Sequence, residues 1–200
     1  MCERSVGART IFCSMLIVLS TGIYSAHALD TDTDGLSDEL EQKFGSQSTI
    51  SDSDGDGYPD GVEVAAGYDP RNPSPIKLPK HIEVVLTKQR LSYYLGGVRL
   101  GEMVISSGRW NWPTPIGTYT IINKSPKAWS KLAGLWMPHW MGFERGRFGI
   151  HALPVWPNGI KEGENHLGKS VSHGCIRISS ANAKKLYEWA PLKTKLIIRK

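Results

Sequence analysis

The chain has 200 residues, 40% of them hydrophobic and 22% charged, with a net charge of +5. That is enough for one moderate core plus a small appendage. Charge is segregated: twelve acids and one base between Leu29 and Asp69 give −11, whereas Pro70 to Lys200 carries +15. The basic part suits an anionic polymer, but no nucleic-acid motif accompanies it, so nucleic acid is set aside as a partner.

The N-terminus reads as a secretory signal. Arg4 and Arg9 supply a basic start, Ile11 to Ile23 is mostly apolar, and Ala26-His27-Ala28 fits a small-residue cleavage site. The apolar run is shorter than the ~20 residues of a spanning helix, so no stable membrane anchor is expected after cleavage. Cleavage after Ala28 would leave 172 residues and remove Cys2 and Cys13. Cys175 then remains as the only cysteine, with no partner for an intramolecular disulfide.

Asp30-Thr31-Asp32-Thr33-Asp34-Gly35-Leu36-Ser37-Asp38-Glu39-Leu40-Glu41 has the pattern of a twelve-residue calcium loop. Its expected ligands are Asp30, Asp32, Asp34, the Leu36 carbonyl, Asp38 and Glu41. The pattern repeats 22 residues later with Asp52, Asp54, Asp56, the Tyr58 carbonyl, Asp60 and Glu63. Hard oxygen ligands on a tight turn suit Ca2+, and without an ion they concentrate like charge. The first loop leaves no room for an entering helix, and position 8 is Ser37 or Pro59, where paired hands carry an apolar residue. The loops resemble dockerin and thrombospondin type 3 repeats, which implies one short helix after each. Asp38–Phe44 and Gly61–Ala66 fit that role, stopped by Gly45 and Gly67. Residues 29–69 are thus expected to form a structural calcium module. Pro70, Pro73, Pro75 and Pro79 predict a semi-rigid extended linker over 70–79.

From residue 80 the pattern is mainly β. Ile82–Leu86 and Leu91–Leu95 are strand-like around a polar turn, Gly96-Gly97 is a hairpin signal, and Val98–Ser106 and Gly117–Ile122 follow. Ser180 is expected to cap a helix over Ala181–Ala190, ended by Pro191, before a last strand at Lys195–Ile198.

The chemistry lies in Ser172-His173-Gly174-Cys175-Ile176-Arg177. If that segment is extended, His173 and Cys175 share a face, and an imidazole with few acids nearby would lower the thiol pKa. Gly174 lets the backbone approach a ligand closely. Cys175 is therefore a candidate nucleophile. A zinc set of His151, His166, His173 and Cys175 is disfavoured, since His-x-Cys is not a usual pair spacing for structural zinc.

Phe148-Gly149-Ile150-His151, the Ser172–Arg177 run and Thr114-Pro115-Ile116-Gly117 together resemble the L,D-transpeptidase (YkuD-like) catalytic domain. Two departures stand out: the loop between His151 and Ser172 is longer, and Ala152 stands where Gly is frequent. The resemblance implies a mixed β-sheet fold over residues 80–200 and acyl transfer on peptidoglycan stem peptides, in the periplasm or cell wall, with no catalytic cofactor. It places His151 beside the thiol as general base, with the Ala152 carbonyl orienting its ring. His173 would shape the site, and the N–H groups of Gly174 and Cys175 would form the oxyanion hole. Arg177 could hold a substrate carboxylate or the strand geometry, and Ser172 is a further candidate for substrate binding. His139 and His166 are expected on the surface or in loops. Of the six tryptophans from Trp110 to Trp156, most are expected in core or lid packing, with one or two free to stack on sugar or stem peptide. The acceptor could be another stem, a wall-bound protein or water, the last making the enzyme an L,D-carboxypeptidase or amidase. A non-catalytic calcium-dependent wall-binding module is the remaining alternative.

Overall fold

A computed structural model describes residues 28–200. The expected export segment, with Cys2 and Cys13, lies outside the described residues apart from Ala28. Among the described residues no helix is long and apolar enough to cross a membrane.

Two short helices, α1 (Asp38–Phe44) and α2 (Asp60–Ala66), precede nine strands and a late helix, α3 (Ser180–Trp189). Strands β1 (Lys80–Val85), β2 (Arg90–Leu95), β3 (Val98–Val104), β4 (Gly117–Thr120) and β9 (Lys195–Arg199) form one sheet in the order β3-β2-β1-β9-β4. The second sheet runs β5-β6-β7-β8, from β5 (Asn123–Ser130), β6 (Leu135–Phe143), β7 (Phe148–Ala152) and β8 (Ile176–Ile178). Pairing is antiparallel except for β1–β9 and β7–β8, which are parallel. Alternate residues of β1, β2 and β9 (Ile82, Val84, Leu91, Tyr93, Leu196, Ile198) meet Met141, Ile150, Ile176 and Ile178 of the second sheet in one core. Ala183 and Leu186 of α3 enter the same core.

The fold is the mainly β, mixed-sheet architecture expected, with local differences. The cap of α3 is Ser179, whose side chain accepts from the Asn182 N–H; Ser180 is already helical. The C-terminal carbonyls of α3 are taken by lysines from two strands. Lys124 Nζ donates to Ala190 O at 2.7 Å, and Lys80 Nζ donates to Trp189 O at 3.1 Å. Both stand where the helix dipole favours a cation.

The proline-rich segment is not an extended linker. Tyr68 bridges back to Lys77, and the Leu78 N–H donates to Gly67 O at 2.9 Å, so the chain folds onto itself. The cause is apolar. Leu36, Phe44 and Val64 of the acidic module share a buried cluster with Leu95, packed against Leu78, Val98 and Leu100. The N-terminal repeats thus cover one end of the first sheet through this cluster, apart from the larger core between the two sheets.

Candidate active site

His151 is presented by β7, between β6 and β8 in the second sheet. It is buried, and its Nδ1 lies 2.6 Å from the Ala152 carbonyl. A carbonyl can only accept, so Nδ1 carries the proton and Nε2 keeps its lone pair. Trp140 of β6 stacks on the ring at 6.0 Å and 27°, itself held by a 2.8 Å bond from Nε1 to Asn123 Oδ1. Burial pulls the His151 pKa down to about 4.

Cys175 immediately precedes β8. The parallel register Ile150↔Ile176 puts it beside Gly149, whose N–H faces the sulfur. Cys175 and His151 line one small cavity of about 130 Å³ with His173, Arg147 and Arg177. Burial pushes the thiol pKa up, only partly offset by the Gly149 N–H and the Arg177 charge. The expected lowering of the thiol pKa is therefore not found. Both shifts favour the neutral thiol and the neutral imidazole over an ion pair.

The segment before Cys175 is a turn, not a strand, so strand alternation does not place His173 and Cys175 on one face. Gly174 has φ +103, and a Cβ there would lie 2.4 Å from Phe148 Cε1, which excludes other residues. Ser172 is fully buried; its Oγ donates to Cys175 O at 2.6 Å and accepts from Gly174 N–H at 3.1 Å. It positions the turn, and the expectation that it contacts substrate is corrected. The same bond engages the Gly174 N–H expected in the oxyanion hole. Thr114, to which sequence reading gave no role, is a second clamp. Its Oγ1 accepts from Gly108 N–H and donates to Gly174 O, both at 2.9 Å. Its signal was the Thr-Pro-x-Gly segment itself.

His173 meets Trp112 edge-on at 5.4 Å, and partial burial with Arg109 and Arg177 nearby lowers its pKa. Arg177 is not free for substrate. Its Nη1 is paired with both oxygens of Glu162, at 2.9 and 3.2 Å, in a mostly buried contact, although its Nε has no partner. Glu162 belongs to the long loop after His151, which is anchored on β6 through the Trp136↔Val155 bridge. His166 Nδ1 lies 2.9 Å from Glu162 Oε1. His139 lies on β6 against Tyr187, outside the cleft. Trp129 and Trp136 pack edge to face, while Trp110 is 91% exposed.

Among the described residues, side chains gather as a metal cluster at Asp30, Asp32 and Asp34 and at Asp52, Asp54 and Asp56. The two loops share most of their internal bonds. Gly35 and Gly57 donate to Asp30 and Asp52, and Leu36 and Tyr58 donate to Asp34 and Asp56. Asp38 and Asp60 each receive both oxygens' bonds from the residue at loop position 2, Thr31 or Ser53, so they staple the loops shut. The fit to a hard cation is carried by buried carboxylate oxygens that lack partners: both of Glu41, and one each of Asp30, Asp32, Asp54 and Glu63. Burial, with the surrounding aspartates, pushes Glu41 and Glu63 up to about 7. The loops also touch: Asp34 Oδ2 accepts from Gly61 N–H at 2.7 Å.

Residues 79–198 match the family model of the L,D-transpeptidase catalytic domain, and residues 30–46 and 52–73 match bacterial TSP3 repeats. YkuD of Bacillus subtilis, designated an L,D-transpeptidase, is 27% identical over 131 residues, covering 66% of this chain and 73% of that protein. YciB of the same organism is 30% identical over 125 residues, covering 58% of this chain and 64% of that protein. The solved L,D-transpeptidase of Stackebrandtia nassauensis aligns with TM-score 0.51 at 28% identity, over 62% of this chain and 57% of that one. That of Mycobacterium smegmatis, at 22% identity and TM-score 0.54 over 62% of this chain, shares the fold; this chain spans about 60% of its length. With the family match covering the two sheets and both residues of the His151–Cys175 cavity, the chain belongs to the L,D-transpeptidase catalytic-domain family.

Proposed function

We propose that the protein is an exported L,D-transpeptidase that acts on peptidoglycan stem peptides through a Cys175 thioester. The observation that carries this is the shared cavity of Cys175 and a buried His151 whose tautomer is fixed by Ala152 O. Because both groups rest neutral, proton transfer accompanies attack. Cys175 Sγ bonds to the scissile carbonyl carbon while His151 Nε2 takes the thiol proton. The tetrahedral intermediate collapses, the C–N bond breaks, and the leaving amine receives that proton from His151. An incoming amine then attacks the thioester and gives its proton to His151, which returns it to the departing sulfur. The Cys175 N–H is the donor for the oxyanion, since the Gly174 N–H is held by Ser172. Thr114 and Ser172 act by holding the turn, and His173 shapes the site as part of the cavity wall.

The acidic module fits Ca2+ through Asp30, Asp32, Asp34 and Glu41 in one loop and Asp52, Asp54, Asp56 and Glu63 in the other, with the Leu36 and Tyr58 carbonyls. Bound calcium would neutralise carboxylates that otherwise repel, a structural role. The periplasm or cell wall is the proposed location, where the basic catalytic part meets an anionic polymer.

The test is product analysis with purified muropeptides. Cross-linked dimers formed by the wild type and lost in Cys175→Ala support transfer. Shortened stems alone would make water the acceptor, and a wild type with no turnover would leave a wall-binding module.

A further inference from the structure

We propose that Arg147 holds the α-carboxylate of the residue the donor peptide loses, in the groove beside the thiol cavity; this rests on the function proposed above. A donor that gives up its last residue carries a free carboxylate three bonds beyond the scissile carbonyl carbon, each about 1.3–1.5 Å long. The cation that receives it must therefore line the thiol cavity or its immediate continuation. Arg147 and Arg177 are the arginines that line that cavity. Arg177 is neutralised by Glu162 and its side chain is 10% exposed. Arg147 is exposed, and none of the ion pairs among the described residues includes it.

Its placement fits the role. A second cavity of about 530 Å³ adjoins the first, walled by Trp112, Pro113, Leu132 and Phe148, and Arg147 and His173 line both. Arg147 thus stands where a peptide would pass from the thiol into the wider groove. Its side chain is laid against the wall, with the guanidinium carbon 5.7 Å from the Phe148 ring centroid, and its own N–H donates to Glu144 O at 3.1 Å. A guanidinium resting on a ring keeps its N–H edge free for two parallel bonds to a carboxylate. Arg109 is close enough to His173 to lower its pKa, yet it lines neither cavity.

The experiment compares two stem-peptide donors that differ only in a C-terminal carboxylate or carboxamide, turned over by wild type, Arg147→Ala, Arg147→Lys and Arg109→Ala. Losing a charge-assisted bond should raise KM for the free-acid donor about 10-fold to 100-fold in Arg147→Ala, with kcat changed far less. The carboxamide donor should be handled alike by wild type and Arg147→Ala, and Lys should restore part of the loss as a point charge. Arg109→Ala should match the wild type. An equal effect of Arg147→Ala on both donors, or none on either, overturns the assignment while leaving the proposed function standing. A wild type that turns over neither donor overturns both. Arg147 is exposed, so the alanine variant should melt with the wild type; if it does not, the same comparison in Arg147→Lys decides.

Discussion

Glu162 grips Arg177 with both carboxylate oxygens, at 2.9 and 3.2 Å, and so ties the loop that follows His151 to the strand that follows Cys175. Both side chains are mostly buried, so removing the acid strands a cation out of water. Glu162→Ala should cost about 3 kcal/mol, or roughly 6–12 °C in Tm for a chain of this size, and should lower turnover as the loop loosens. Glu162→Gln keeps the acceptor and should lose less. Melting curves beside initial rates check this, and equal Tm values in all three proteins would show that the pair holds nothing.

The acid limb of the pH–rate profile should lie far below the usual histidine range. His151 must be neutral to accept the thiol proton, and burial places its pKa at about 4. kcat/KM should therefore stay high as pH falls through 6.5, where an ordinary imidazole would already protonate, and drop only near 4. The thiol, pushed up by burial, puts the other limb on the alkaline side. A limb near 6.5 in the measured profile would contradict the neutral resting pair.

His151→Ala should slow turnover on the order of 10²–10⁴-fold, as loss of a general base does, with His173→Ala costing less. The opposite ranking in single-turnover rates would exchange their roles.

Thr114→Val removes a hydroxyl that serves Gly108 and Gly174 together. Leaving those buried groups unmatched should cost about 1–3 kcal/mol, and the slackened turn should lower kcat without moving the His151 limb. Comparing the pH profile of the variant with the wild type separates this from a direct chemical role, since a shifted limb would place Thr114 in the proton path.

Chelating calcium should weaken the whole chain, not only its acidic end. Glu41 and Glu63 would be left buried among aspartates, and their module shares a core with Leu95. A truncated protein beginning at Pro79 would expose Leu95, at a cost of about 2 kcal/mol for that side chain alone. Calorimetry should show a lower Tm in chelator for the full chain, and a truncated protein that melts lower still but ignores chelator. Identical melting of all forms would show that the two parts are independent.

What the sequence made legible was local. The two acidic loops keep their candidate ligands within twelve residues, and the strands around Val84 and Leu196 alternate cleanly. The β5–β6 hairpin gave no such signal. β5 is an edge strand with Pro126 inside it and irregular burial, while β6 is buried along much of both faces and interrupted by Pro138 and His139 at φ 53. The Glu162–Arg177 pair joins residues that only the parallel β7–β8 crossover brings together. Proline content argued for an extended linker, but the contacts that fold it back come from Leu78 and Leu95, whose meeting no local pattern shows.

β9 is the last of the nine strands in chain order yet lies inside its sheet, between β1 and β4. During synthesis β1 and β4 have no strand to bridge them until β9 leaves the ribosome, so the first sheet cannot close on a nascent chain. Late closure of this kind makes the sheet depend on contacts of high sequence separation, the slow kind to form. It also means that deleting β9 would open the middle of the sheet, where deleting β3 would only move its edge.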